Sequence, residues 1–300
     1  MKLSEIIEAF ARQNECIAGV CDAEPLDASL YEGEVVPFVS GDITRRTNPG
    51  VTLLGVRSVI VIGVAWETLL PCEHNINPYP TPTPLAVLSS LGSNRDYHRR
   101  VKGVLKELVA TLRGFYDFRY KILVDGPGLD ERALAVRAGL GFYGWHGLVV
   151  SPRFGTRFNV GCLLTDIPFE GSGEPAKTGE CPPDCFRCVR ACPTGALCCD
   201  ENNRYDVTRC LSYLTQKKSL TPEEGALLGE NNQLYGCDIC QEACPFNTPR
   251  DKTYVDPTLW LSMGDADFTR VYGDTAMLWQ GADLLRRNAA MVGEGFGKND

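Results

Sequence analysis

Two cysteine runs constrain this chain more than any other feature: Cys181-x3-Cys185-x2-Cys188-x3-Cys192-Pro193 and Cys237-x2-Cys240-x3-Cys244-Pro245. They lie in a stretch from Cys181 to Cys244 that holds ten of the chain's 14 cysteines, with Cys198, Cys199 and Cys210 between them. Cys16, Cys21, Cys72 and Cys162 are scattered singly through the first half. A disulfide scaffold would be shorter and denser in cysteine than these 300 residues. Glu5 and Glu8 fall where a secretion signal would be uninterruptedly apolar, so the expected compartment is the cytoplasm. Clustered thiols kept reduced there are expected to bind metal.

A cysteine run closing on Cys-Pro is the signature of bacterial ferredoxins that hold two cubane clusters. Cysteines two and three residues apart wrap three corners of one cluster. The fourth points to the neighbouring cluster, and proline stops the loop from continuing as a helix. On that logic Cys181, Cys185 and Cys188 hold one [4Fe-4S] cluster, completed by Cys244. Cys237 and Cys240 hold the second, completed by Cys192, and one ligand is then missing. Cys210 is the candidate that closes the tally at eight; Cys198 and Cys199 compete for the role on spacing alone. The first gap is one residue longer than usual, which bears on Cys181. Zinc knuckles also use Cys-x2-Cys pairs, but rarely show a Cys-x2-Cys-x3-Cys-Pro run twice.

Ahead of the cysteines the pattern is that of an α/β or α+β domain. Leu3, Ile6, Ile7, Phe10 and Ala11 make one face of an N-terminal amphipathic helix. Ser58 to Trp66 is an apolar run of buried-strand type, about half of what a membrane-spanning helix needs. Five prolines mark Pro71 to Pro84 as a loop. Val101, Val104, Leu105, Leu108 and Leu112 repeat at helical spacing from about Asp96 to Phe115. Strands are expected at Tyr120–Asp125, Gly147–Val150 and Val160–Thr165, with a helix from about Asp130 to Ala138. Glu170 to Gly179 reads as a linker, giving domains at 1–169 and 170–250, the second ferredoxin-like, and a helical tail at 251–300.

Two motifs are set aside. Gly139-x-Gly141-x-x-Gly144 matches a dinucleotide fingerprint, but a helix precedes it and a strand follows, the reverse of the required order. It is expected to be a turn where backbone approaches something closely. Asp96-Tyr97-His98 approximates a corrinoid lower-ligand pattern, but Val101 stands where that pattern has glycine. The fragment alone reads as a helix start, with Asp96 complementing the N-terminal dipole.

Taken in order, Asp96-Tyr97-His98, Val124-Asp125, Asp130-Glu131-Arg132, Gly139-x-Gly141, Leu163-x-x-Asp166, the doubled cysteine runs and Tyr235 to Asn247 resemble the epoxyqueuosine reductase family. These are cobalamin-dependent iron–sulfur enzymes of tRNA modification, related to the reductive dehalogenases. The resemblance runs from about Arg45 to Asn247. It implies a cobalamin-binding domain without a protein lower ligand beside a double-cluster module, an external low-potential electron donor, and reduction of an epoxide at the tRNA wobble position. It places the proton donor on Asp125, and Asp96, His98 and Arg132 in the active site. Arg46, Tyr97, Asp125, Ser212 and Asp238 fall near the corrinoid. An enclosed carboxyl with a raised pKa suits protonation of a departing epoxide oxygen.

Three departures stand out. The family usually has Gly-Lys-Asn where this chain has Gly144-Trp145-His146, so a positive charge is lost. Many members continue into a helical-repeat domain; Leu285 to Ala290 resembles its opening, and the sequence reads as a short form. The net charge of −8 disfavours a broad tRNA-coating surface, leaving local pairs such as Arg45–Arg46 and Arg99–Arg100. Competing expectations are therefore a corrinoid iron–sulfur reductase of a small molecule, and a non-catalytic electron carrier. A monomer with no membrane association is expected.

Overall fold

The computed structural model describes residues 2–31, 38–66, 85–171, 178–198 and 205–296. The proline-rich loop, Cys72, Cys199 and most of the expected linker lie outside them. The chain divides into two compact units. One comprises Met1–Trp66 and His98–Cys185, the other Glu67–Tyr97 and Phe186–Asp300.

The first unit is built on a four-stranded sheet in the order Ile17–Asp22, Ser58–Ala65, Phe158–Thr165, Tyr120–Leu123, every neighbouring pair antiparallel. The fold is therefore α+β rather than a parallel α/β sheet. Ser58–Ala65 sits between two strands, and Val59 to Ile62 are fully buried, which is why this stretch is continuously apolar. On one face Val59, Val61, Cys162 and Leu164 pack with Leu134 and Ala135 of the helix Glu131–Arg137. The long helix Tyr97–Arg113 approaches so closely that a Cβ on Gly161 would lie 2.4 Å from Val101 Cγ1. That helix buries Val101, Leu105, Leu108, Val109 and Leu112, so Val109 takes the inward place expected of Val104. The helix Leu3–Gln13 buries the apolar face read from the sequence.

The strand expected to reach Asp125 ends at Leu123, because Asp125 turns into the left-handed region at φ 48°. The strand expected over Gly147–Val150 shortens to Val149–Val150, paired with Phe142–Tyr143. Both glycines at the start of the false dinucleotide motif are structural. Gly139 has φ +78°, and a Cβ on Gly141 would meet the Val150 carbonyl oxygen at 2.2 Å.

In the second unit Ala86–Leu88 pairs parallel with Gln233–Tyr235 and antiparallel with Thr253–Val255. A long sequence separation thus closes one small sheet, and residues 85–97 belong with the cysteine-rich part. Residues beyond 250 are the core of this unit. Trp260, Phe268, Tyr272, Leu285, Ala289 and Val292 pack with Leu88, Leu234 and Tyr235. Trp260 Nε1 donates to the Tyr272 hydroxyl at 2.9 Å. Fully buried Asn288, on the helix Ala282–Phe296, donates from Nδ2 to the carbonyls of Thr215 (2.9 Å) and Leu234 (2.8 Å).

Candidate functional site

Cys192 caps the C-terminus of the short helix Arg187–Ala191, which carries buried Cys188. Cys210 stands at the N-cap of Leu211–Leu214, and Cys240 lies in Ile239–Glu242. Cys237 follows the strand Gln233–Tyr235 through Gly236, whose φ of +67° suits glycine. These segments converge. Burial pushes the Cys237 thiol up to about 12, and nearby Cys210, Asp238 and Cys192 add to the effect. Cys240 is raised well above an ordinary thiol by burial, with Cys237, Cys210, Cys188 and Asp238 beside it. Among the described residues, the charges bearing on Cys240 are all negative when ionised.

Among the described residues, Cys210 is the mid-segment cysteine placed with Cys237 and Cys240. Cys198 instead donates its thiol to the Gly195 carbonyl at 3.7 Å. Cys181 and Cys185 belong to the first unit, Cys188 and Cys244 to the second. Burial raises the Cys181 thiol, countered by a hydrogen bond from the Trp145 backbone N–H, with Cys185 nearby. The Gly144-Trp145-His146 departure thus touches a candidate ligand through its main chain. Burial also lowers His146 to about 4, so this imidazole is neutral at pH 7 and restores no lost charge. Its Nδ1 accepts the Leu148 N–H at 3.2 Å.

At the end of the strand Tyr120–Leu123 the Asp125 carboxylate faces His98, with Oδ2 3.9 Å from Nε2 and side chains 67% and 32% exposed, so the expected acid is open to solvent rather than enclosed. Asp130 caps the following helix by accepting the N–H groups of Arg132 and Ala133. Arg132 donates from Nη1 to the Gly147 carbonyl at 3.2 Å. Glu131, to which sequence reasoning gave no role, accepts the N–H groups of Asp125 and Gly126, each at 3.0 Å. Its only signal in the chain was an acidic residue inside the Asp130-Glu131-Arg132 motif.

The remaining expected site residues are distributed between the units. In the first, the Arg46 carbonyl accepts the Asp130 N–H at 3.0 Å, fixing the segment that carries Asp125 and Arg132. In the second, the Asp96 N–H donates to the Asp274 carbonyl at 2.7 Å, and Tyr97 opens the long helix. Asp238 accepts the Ser90 N–H at 2.6 Å. The Ser212 carbonyl accepts from Thr215 Oγ1 and Gln216 Nε2.

Residues 181–247 match the 4Fe-4S double cluster binding domain. Together with the gathered sulfurs, this defines a two-cluster iron–sulfur protein rather than a zinc protein. Residues 46–126 match the family described as epoxyqueuosine reductase QueG, DUF1730. Among curated relatives, the epoxyqueuosine reductase of Staphylococcus aureus is 33% identical over 300 residues, covering 92% of this chain and 74% of that protein. The structure of epoxyqueuosine reductase from Streptococcus thermophilus superposes with a TM-score of 0.84 at 29% identity, covering 99% of this chain and 82% of that one. An epoxyqueuosine reductase in complex with an epoxyqueuosine-modified tRNA-Tyr stem loop superposes with a TM-score of 0.81 at 26% identity, covering 98% and 81%. The chain belongs to the epoxyqueuosine reductase family and is an oxidoreductase. No helix among the described residues is long and apolar enough to cross a membrane.

Proposed function

We propose that this protein reduces epoxyqueuosine to queuosine in tRNA, with two [4Fe-4S] clusters and cobalamin as cofactors. The observation that carries the reading is the Asp125 carboxylate beside His98, on a left-handed residue, in a chain with epoxyqueuosine reductases as relatives over nine-tenths of its length. An epoxide, two electrons and two protons give an alkene and water. The clusters and cobalamin supply those electrons, taken singly from an external low-potential donor.

The donor set fits this inventory. The thiols of Cys181, Cys185, Cys188, Cys192, Cys210, Cys237, Cys240 and Cys244 match the eight ligands that two cubanes need. In the first unit the indole N–H of Trp66 is buried without an acceptor among the described residues, a donor suited to the carboxamide rim of a corrinoid. Arg46, Tyr97, Asp125, Ser212 and Asp238 are the residues that the family resemblance assigns to it.

The chain's own chemistry is proton delivery. Asp125 gives its proton to the departing epoxide oxygen, and its exposed carboxyl is reachable by a large substrate. His98 stands where it can return a proton to Asp125. Arg132, braced on the Gly147 carbonyl, orients polar substrate groups. The test is reconstitution with cobalamin and reductant, followed by epoxyqueuosine-containing tRNA and assay for queuosine. Asp125→Asn is expected to abolish turnover and leave the corrinoid spectrum intact. A fully loaded protein that makes no queuosine, or an Asp125→Asn variant that turns over normally, refutes the reading.

A further inference from the structure

Glu131 takes no part in the scheme above, yet its carboxylate grips the backbone that carries the proposed acid. Oε2 accepts the Asp125 N–H and Oε1 the Gly126 N–H, each at 3.0 Å. Two successive amides directed at one carboxylate fix both peptide planes around Asp125. That residue sits at φ 48°, a region where a residue with a Cβ stays only when its surroundings hold it there. An extended Asp125 would continue the strand and turn its carboxyl away from His98.

The grip is itself anchored. Glu131 is the first residue of the helix Glu131–Arg137, and Asp130 ahead of it both caps that helix and donates its N–H to the Arg46 carbonyl. Solvent reaches only part of Glu131. Among the described residues, Asp125, Asp130 and Cys162 interact with it electrostatically, each of them negative when ionised.

We propose that Glu131 is a positioning residue for the reaction, selecting through two backbone amides the left-handed conformer of Asp125 that presents its carboxyl beside His98. The proposal rests on Asp125 being the proton donor, and the experiment separates the two. Glu131→Gln, Glu131→Asp and Asp125→Asn are compared with the parent as reconstituted holoenzymes. Glutamine can accept from only one of the amides; aspartate keeps the charge but is one methylene short.

Expected for Glu131→Gln is a tenfold or greater fall in kcat. KM for the modified tRNA, cluster content and the corrinoid spectrum should be unchanged, and Glu131→Asp should fall between it and the parent. Independently of turnover, hydrogen exchange in a peptide spanning 120–130 should accelerate at least tenfold at the Asp125 and Gly126 amides in Glu131→Gln, with the amides of 133–137 still protected. A residue that merely supported the helix would show the opposite pattern. Full kcat in Glu131→Gln with an inactive Asp125→Asn overturns the positioning role and leaves the proton donor standing. Normal turnover in Asp125→Asn removes the proton donor and this inference with it. If Glu131→Gln does not fold, Glu131→Asp decides on the same two readouts.

Discussion

Asn288 offers the sharpest test of how the cluster-bearing segments are held together. It is fully buried, and its Nδ2 donates to the carbonyls of Thr215 at 2.9 Å and Leu234 at 2.8 Å. Thr215 caps the helix that begins after Cys210, and Leu234 lies three residues before Cys237. Thr215 Oγ1 also accepts the Gly236 N–H at 2.9 Å, so the two cysteine segments meet at a junction locked by one amide. Asn288→Ala takes the donor from both carbonyls. A buried acceptor left without a donor costs about 1–3 kcal/mol, which predicts a loss of about 2–6 kcal/mol against a typical total of about 5–15. Asn288→Asp keeps an acceptor for the Arg287 guanidinium, which donates to the Asn288 Oδ1 at 3.1 and 2.7 Å, but at pH 8 it loses the donor to both carbonyls; it should recover on acidification once the carboxyl can donate. Urea unfolding of the holoprotein, followed in parallel by tryptophan fluorescence and visible cluster absorption, reads both consequences. Cluster absorption should be lost at lower urea in both variants. A destabilisation under about 1 kcal/mol for Asn288→Ala, or an Asp variant that does not recover on acidification, would refute the locking role.

Three further outcomes follow from the geometry. Burial pushes the Glu131 carboxyl from its ordinary 4.5 up to about 7. The proton therefore binds more tightly in the folded state: the stabilisation is fully present below 4.5 and is lost as pH rises through 7, about 3 kcal/mol in all. Glu131→Gln should flatten that part of the stability profile between pH 5 and pH 8, and an unchanged slope would contradict it. Gly141→Ala drives a Cβ into the Val150 carbonyl oxygen, 2.2 Å away, where both partners are backbone. Its melting temperature should fall by several degrees, more than for Gly103→Ala, where the added Cβ meets nothing within 4 Å. Cys210→Ser should remove one of two clusters and about half the iron on anaerobic analysis, whereas Cys198→Ser, whose thiol binds Gly195, should keep it all.

Much of the first unit was legible because burial writes itself into composition. Ser58–Ala65 is enclosed on both sides, so it reads as an unbroken apolar run, and helical stripes at Leu3–Ala11 and Val101–Leu112 mark the faces that cover the sheet. The direction of pairing was not legible. Strand and helix alternate along the chain whether neighbours run parallel or antiparallel, and only the register of Ser58–Ala65 with Phe158–Thr165 decides between them. The contribution of Ala86–Leu88 to the second unit was equally hidden, since three residues pair with strands more than 140 positions away and carry no periodicity. The segment beyond 250 looked like a tail for a similar reason. Trp260, Phe268 and Tyr272 show their purpose only when Leu88 and Leu234 are brought against them.

Within the site, legibility divides along a chemical line. Cluster ligation needs side-chain sulfur at short, fixed spacings, so the runs Cys181 to Cys192 and Cys237 to Cys244 stand out in the sequence, inside the stretch 181–247 that matches a double-cluster domain. Cys210 is separated from either run and is placed only by folding, which is why Cys198 and Cys199 remained its rivals on spacing. The holding groups are harder still. Glu131 grips two amide N–H groups and Asn288 two carbonyls, and every residue but proline offers both kinds of partner. A side chain that acts on backbone leaves no complementary residue elsewhere in the sequence to betray it. The left-handed turn at Asp125 is silent for the same reason: glycine would have advertised it, but a glycine there could carry no acid. The need for a functional side chain thus removed the one sequence signal of the conformation that presents it, and Glu131 is what the fold uses in glycine's stead.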